Sequence, residues 1–353
     1  MTSGADVSSL SSIPQVAGLQ VIVKQETPFL PKVAFTLISI ASLAGVTLTG
    51  TLAGSAPLDI GMKWFALWVL ALAGGFAVWR AIYLRASDAE AAQDKVTALN
   101  TTAFARARVV GRWVAAGAAI ATVSPFTVGY LQYMPELRLT LAVLMVALVV
   151  LLAVGVDRLP IAIATIAVVA SSLLVWAYID AGSGWQGWVR VAHLTAFTLW
   201  IGGALWNIAV AMPAGRHHAN VDAVIAGAHQ LDRFRWVVRF SLPTIIVTGL
   251  IMAGAFTALP LEWWFTFPGI LIPIKVLAIV ALVVVFITCP LFRHCSPVQG
   301  VCNIEDLGDV AKVKAVAGMA VADAPTRGSG PARGGGSAAP DAPVAVGGSA
   351  VQP

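Results

Sequence analysis

The chain has 353 residues, 58% of them hydrophobic and only 11% charged, with a formal net charge of +5 and a mean hydropathy of +0.85. Charged residues make up about a quarter of a soluble domain, so this composition excludes that class. The apolar runs approach the roughly 20 residues of a membrane-spanning helix and exceed the 9–11 of a barrel strand, so the expected fold is all-α, a polytopic transmembrane helix bundle.

Residues 1–27 are polar and Ser-rich and lack a charged stretch leading into an apolar core and a cleavage site, so no cleaved signal peptide is expected, and 1–32 read as a cytoplasmic N-terminal segment. Eight spans are expected, at 33–54, 62–84, 110–134, 139–156, 159–179, 186–212, 236–258 and 269–292. The first holds Gly50 and Gly54 in a GxxxG pattern, which permits close helix contact. Trp64 and Trp79 flank the second as an interfacial belt would. In the polar connection 85–109, Ser87 and Glu90 resemble a capping box and suggest a short surface helix. Pro125 and Pro243 are expected to kink the third and seventh spans.

The basic residues fix an orientation. With both termini cytoplasmic, all but four of the 22 Lys and Arg fall on inner segments or flanks. The exceptions are Lys63, Arg138, Arg190 and Lys275. Such a positive-inside bias explains the net charge without nucleic acid. The spans divide into a five-span region at 33–179 and a three-span region at 186–292. The tail, 293–353, is rich in Ala, Gly and Pro and is expected to be cytoplasmic and mostly disordered.

The sixth span carries the clearest chemical signal. His193 is the only histidine within a membrane-spanning run, and Trp200, Gly202 and Gly203 follow it. An ionisable group in lipid is costly and marks a functional site. His193 lies seven residues from the outer end of its span, roughly 10 Å deep at 1.5 Å per residue. Lys275 of the eighth span and Met252 of the seventh fall at the same level. Sequential spans joined by short connections favour antiparallel neighbours, which would gather the three into one layer. A neutral imidazole and a thioether suit Cu(I), whereas a haem iron can take the imidazole axially. Lys275 would pair with an anion such as a haem propionate, or tune the site as a charge. Gly202 and Gly203 would admit a neighbouring helix, and Thr248 would hydrogen-bond across the interface. The bland alternative is a buried polar contact, with Met252 as filler and Lys275 reaching to the interface.

Two further groups have weaker chemistry. Cys289, His294, Cys295 and Cys302 have enough soft atoms for Cu(I) or zinc, but their spacing departs from zinc sites, and unpaired thiols are the simpler reading. Residues 214–235, with His217, His218, His229, Asp222 and Asp232, read as a solvated cytoplasmic amphipathic helix. No P-loop, dinucleotide fingerprint or HExxH pattern appears, so no catalytic residue is assigned and enzyme activity is not indicated.

His193-Leu-Thr-Ala-Phe-Thr-Leu-Trp200-Ile-Gly202-Gly203 resembles the His-x₆-Trp-x-Gly-Gly signature of the CopD copper-resistance membrane domain. Arg239-Phe240, Val247-Thr248-Gly249-Leu250 and the run beginning at Lys275 follow in the same order as in that domain, and the likeness covers about 188–292. The resemblance implies copper uptake or tolerance at a bacterial cytoplasmic (inner) membrane, with His193 as central ligand, Met252 as a possible second and Lys275 as a tuning charge. It also implies the bilayer, an extracytoplasmic copper-binding protein or a larger membrane complex as partners. A more distant likeness is to HemJ-type haem-binding bundles, which implies haem b and an oxidoreductase or electron-transfer subunit. A non-catalytic structural subunit is the third expectation.

Overall fold

The structure is a computed structural model, and it describes residues 29–218 and 220–288. Eight long helices account for most of them: α1 (Phe29–Leu52), α2 (Pro57–Val78), α3 (Gln93–Ala121), α4 (Pro135–Val154), α5 (Leu159–Ala181), α6 (Trp185–Trp206), α7 (Val221–Ala253) and α8 (Leu271–Thr288). Seven helical segments, continuing through the short turns that extend α2, α3, α6 and α7, are long and apolar enough to cross a membrane. α8 is described over a shorter apolar stretch. No strand occurs among the described residues. The chain is a multi-pass membrane helix bundle.

Local chemistry sets several boundaries. Prolines stand in the first turn of α2, α4 and α5, where the missing N–H has no intrahelical partner to lose. Asn220 caps α7 by accepting the Ala223 N–H at 2.9 Å. α1 gives way to a turn at Gly54, whose φ of 70° suits glycine. Gly54 therefore ends a helix instead of packing one, and only Gly50 of the GxxxG pair meets a neighbour, Ile60 of α2.

α2 is the centre of the bundle, buried on nearly every face from Ala66 to Ala77. It packs on α6, α5, α3 and α1. Contact with α6 is closest at Gly75 and Gly202: a Cβ on Gly75 would lie 2.2 Å from the Gly202 Cα, so the two backbones touch. Gly203 faces α7, where a Cβ would meet the Phe234 ring at 2.3 Å. Beyond this crossing α2 and α6 each continue into a π-helical turn, Trp79–Tyr83 and Asn207–Ala211. Trp79 stacks on Trp206 at 6.0 Å and meets Phe234 at 5.4 Å. At the periphery, Leu139, Val143, Val146 and Val150 of α4 are exposed at helical spacing, as a lipid-facing stripe would be.

Several sequence expectations are corrected. Trp79 is fully buried, and Trp64 donates inward to Ser42 at 3.0 Å, so neither forms an interfacial belt. No surface helix precedes the third span. Residues 85–92 form a non-helical connection in which Asp88 accepts the Glu90 N–H, and α3 runs unbroken from Gln93. Pro125 kinks nothing, because α3 has already ended at Ala121 and the proline opens the separate turn Ser124–Thr127. Residues 221–235 are not a solvated helix. They are the first turns of α7, and Ala223, Val224, Ile225, Ala226 and Phe234 are buried in the core. Finally, α8 lies along α1 and barely touches α7. The cysteine cluster and the tail are outside the described residues.

Candidate functional site

His193 sits in the third turn of α6 and reaches α7. Its Nδ1 lies 2.9 Å from the Thr248 hydroxyl. That hydroxyl has one proton, and it points back along α7 to the Thr244 carbonyl at 2.5 Å. Thr248 can therefore only accept from the imidazole. With the hydroxyl proton committed to Thr244, the consistent tautomer of a neutral imidazole has its hydrogen on Nδ1 and a lone pair on Nε2. Such an outer partner fixes the ring's orientation, whether or not the other nitrogen binds anything. Gly249 adds room: a Cβ there would already be in contact with His193 Cε1 at 3.8 Å.

The imidazole lines a cavity of about 90 Å³ together with Trp68, Arg190, Trp200 and Lys275. This is space for an ion or a few waters. Lys275 comes from α8 and stands against α1, where a Cβ added to Gly45 would be 3.0 Å from its Nζ. Arg190 and Lys275 also line a second cavity of about 870 Å³ between α1, α6, α7 and α8. Met252 lines that second cavity and not the first. The expected layer thus divides. His193, Thr248, Trp200 and Lys275 converge, Met252 faces the neighbouring space, and Gly202 and Gly203 serve the helix crossing deeper in the bundle. The reason is position along α7: Met252 lies one turn beyond Thr248, on the stretch that lines the space left between α7 and α8.

A polar cluster not assigned from the sequence forms the floor of the larger cavity. Asp180, at the end of α5, pairs through Oδ1 with Lys63 of α2 and through Oδ2 with Arg190 of α6 at 2.8 Å. Lys63 also donates to the Tyr130 hydroxyl at 2.9 Å, and its ammonium lies 5.6 Å from the Trp176 ring centre. The side chains of Lys63, Asp180 and Arg190 are at most 12% exposed. A signal for this cluster existed: Lys63, Arg190 and Lys275 are three of the four cations that break the positive-inside pattern. Arg138, the fourth, lies over the Phe126 ring at 5.7 Å.

As a copper site the residues fit in part. The Nε2 of His193 is a suitable donor, but no group of three His, Cys, Asp or Glu side chains gathers among the described residues. Two cations line the same cavity. For haem, the cations suit propionates, but the cavity at His193 is far smaller than a macrocycle. At the opposite end of the bundle two pairs fasten the connections. Burial pushes Asp157 up, but the Arg108 guanidinium at 2.7 Å holds it below the usual carboxylate range. Asp88 is likewise raised by burial and brought lower by the His229 ring at 2.9 Å.

The fold and the polar interior define a class, a multi-pass membrane helix bundle with ionisable side chains buried inside it. No protein-family model, curated protein or solved structure matches the chain.

Proposed function

We propose that the protein takes copper as cargo at His193, within a bacterial cytoplasmic membrane and from the outward-facing end of the bundle. The observation that carries this reading is the 2.9 Å contact of His193 Nδ1 with the Thr248 hydroxyl, itself bonded to the Thr244 carbonyl, beside an ion-sized cavity that the imidazole lines. A neutral imidazole is a good Cu(I) ligand, and Thr248 plays the outer partner. One ligand beside Arg190 and Lys275 binds a cation weakly. Weak, single-ligand binding suits passage, where an ion must leave as readily as it arrives, and does not suit storage. The CopD-like signature and the positive-inside charge pattern support the same assignment.

The test is copper uptake into vesicles containing the full chain, with metal analysis under reducing conditions. His193→Ala is expected to abolish the protein-dependent uptake while leaving the protein folded. Uptake that survives in the variant sinks the proposal. A second reading, haem b with His193 as axial ligand, draws on Arg190 and Lys275, which line both cavities and would receive propionates. A Soret band that disappears in His193→Ala would favour it over copper.

A further inference from the structure

The 870 Å³ cavity has two unlike parts. Its floor, near the end at which α2, α6 and α8 begin, holds Lys63, Arg190 and Lys275 against a single carboxylate, Asp180. Both Asp180 oxygens are engaged, one by Lys63 and the other by Arg190. Arg190 Nε is buried without a hydrogen-bond partner, and Lys275 forms no ion pair with a described residue. Positive charge therefore exceeds negative charge inside a membrane bundle, where an uncompensated cation is costly.

The walls are different. They come from the facing sides of α7 and α8 and are apolar: Ile246, Leu250, Val276 and Val280 among them. Leu250, Val276 and Val280 are each about half exposed or more, so the cavity opens sideways, onto the surface that faces lipid in a membrane. The opening exists because α8 lies along α1 and leaves α7. From Lys275 to Val284 the α8 wall descends nine residues, roughly 13 Å at 1.5 Å per residue, which is long enough to seat much of an acyl chain.

We propose that this cavity is a binding site for an anionic lipid of the surrounding bilayer, its headgroup phosphate held by Arg190 and Lys275 and one acyl chain lying between α7 and α8. The phosphate supplies the negative charge that the floor lacks, and Arg190 can offer its free Nε–H while it remains paired with Asp180. The headgroup would sit within two turns of the helix ends, close to the interface where lipid phosphates reside. The site does not depend on copper at His193, because none of these groups donates to a metal.

Native mass spectrometry of the full chain, released from bilayer discs of equal phosphatidylglycerol and phosphatidylcholine content, reads the retained lipid directly. The wild type is expected to retain phosphatidylglycerol with a preference of about tenfold. Lys275→Met, which breaks no ion pair among the described residues, and Arg190→Gln are each expected to bring the preference close to parity. Val280→Trp, which fills the wall and leaves every charge in place, is expected to lower retention of both lipids. Equal retention by the wild type overturns the proposal, as does a preference that persists in both charge variants. Displacement of the lipid by millimolar inorganic phosphate also overturns it, since the site would then recognise the free anion. Should Arg190→Gln fail to fold for want of its Asp180 contact, Lys275→Met and Val280→Trp still decide.

Discussion

The bundle has a closed side and an open side. Along the seam of α2 and α6, backbones meet at Gly75 and Gly202, and Trp79, Trp206 and Phe234 fill the space beyond. Between α7 and α8 the helices part, and the space left has apolar walls and a charged floor. Both sides have similarly apolar sequences, so hydrophobicity does not distinguish them. Residue size does: paired glycines close one seam, whereas the other is floored by long cations that cannot be packed away. The closed seam is a frame, and the open side provides the space for a ligand.

The comparison can be broken first at the frame. Gly202→Leu is expected to have the largest effect, because the side chain would have to displace the α2 backbone. The cost should exceed the ~1–3 kcal/mol of ordinary overpacking, with loss of monodisperse protein on size exclusion. Gly184→Leu is the control: a Cβ at Gly184 meets no neighbour, and its φ, unlike that of Gly182, is not positive. Normal yield from Gly202→Leu would refute the close crossing.

Next comes the polar floor. Asp180→Asn leaves Lys63 and Arg190 buried without a carboxylate, and loss of one partner of a buried pair costs about 3–5 kcal/mol. A thermal melt in detergent should show a large fall. Adding Lys63→Met should recover part of it, because one stranded charge is then removed. No recovery would mean that the cluster is not coupled as its geometry indicates.

Thr248→Val should act on binding and hardly on stability. Without an acceptor for Nδ1–H the imidazole can turn or change tautomer, and loss of such outer partners costs roughly 10–100-fold in metal affinity. Copper affinity unchanged in this variant would show that the tautomer does not govern binding.

The smallest expected effect is on pH dependence and lies at the opposite end of the bundle. Asp157 and Asp88 have folded-state values below the usual carboxylate value near 3.9, so the stability they contribute is present above that value. It is lost as pH falls through the lower folded values. Arg108 is half exposed, so solvent screens its pair with Asp157 and the contribution is small. The melting temperature should decline below about pH 4, and Asp157→Asn should flatten part of that decline. An equally steep acid limb in the variant would assign the loss elsewhere.

Much of the fold is legible in the sequence. Runs of apolar residues mark every long helix, and the expected neighbours Thr248 and Lys275 do meet or share a cavity with His193. Boundaries are less legible where composition and structure diverge. Residues 221–235 look polar enough for solvent, yet one face of that segment is buried, and α7 extends far beyond its apolar core. The partner of α8 is not legible at all, because adjacency in the chain argues for α7 and packing chooses α1. That difference opens the cavity that Met252 lines, while Lys275 still reaches the space beside His193. Conversely, the charges that break the orientation rule are the most informative ones: three of the four converge on one cavity.

The pairing of α1 with α8 also bears on how the protein is made. The residues that meet at Gly45 and Lys275 are 230 positions apart in sequence, so α1 leaves the ribosome long before its partner exists. At the usual 5–20 residues per second the wait is roughly ten to fifty seconds. During that interval the inward face of α1 must be sheltered by α2, by lipid or by the insertion machinery. Assembly of the bundle is completed only when the last described helix arrives, so biogenesis has a late checkpoint, and shortening the chain before α8 would leave the first helix without its main neighbour.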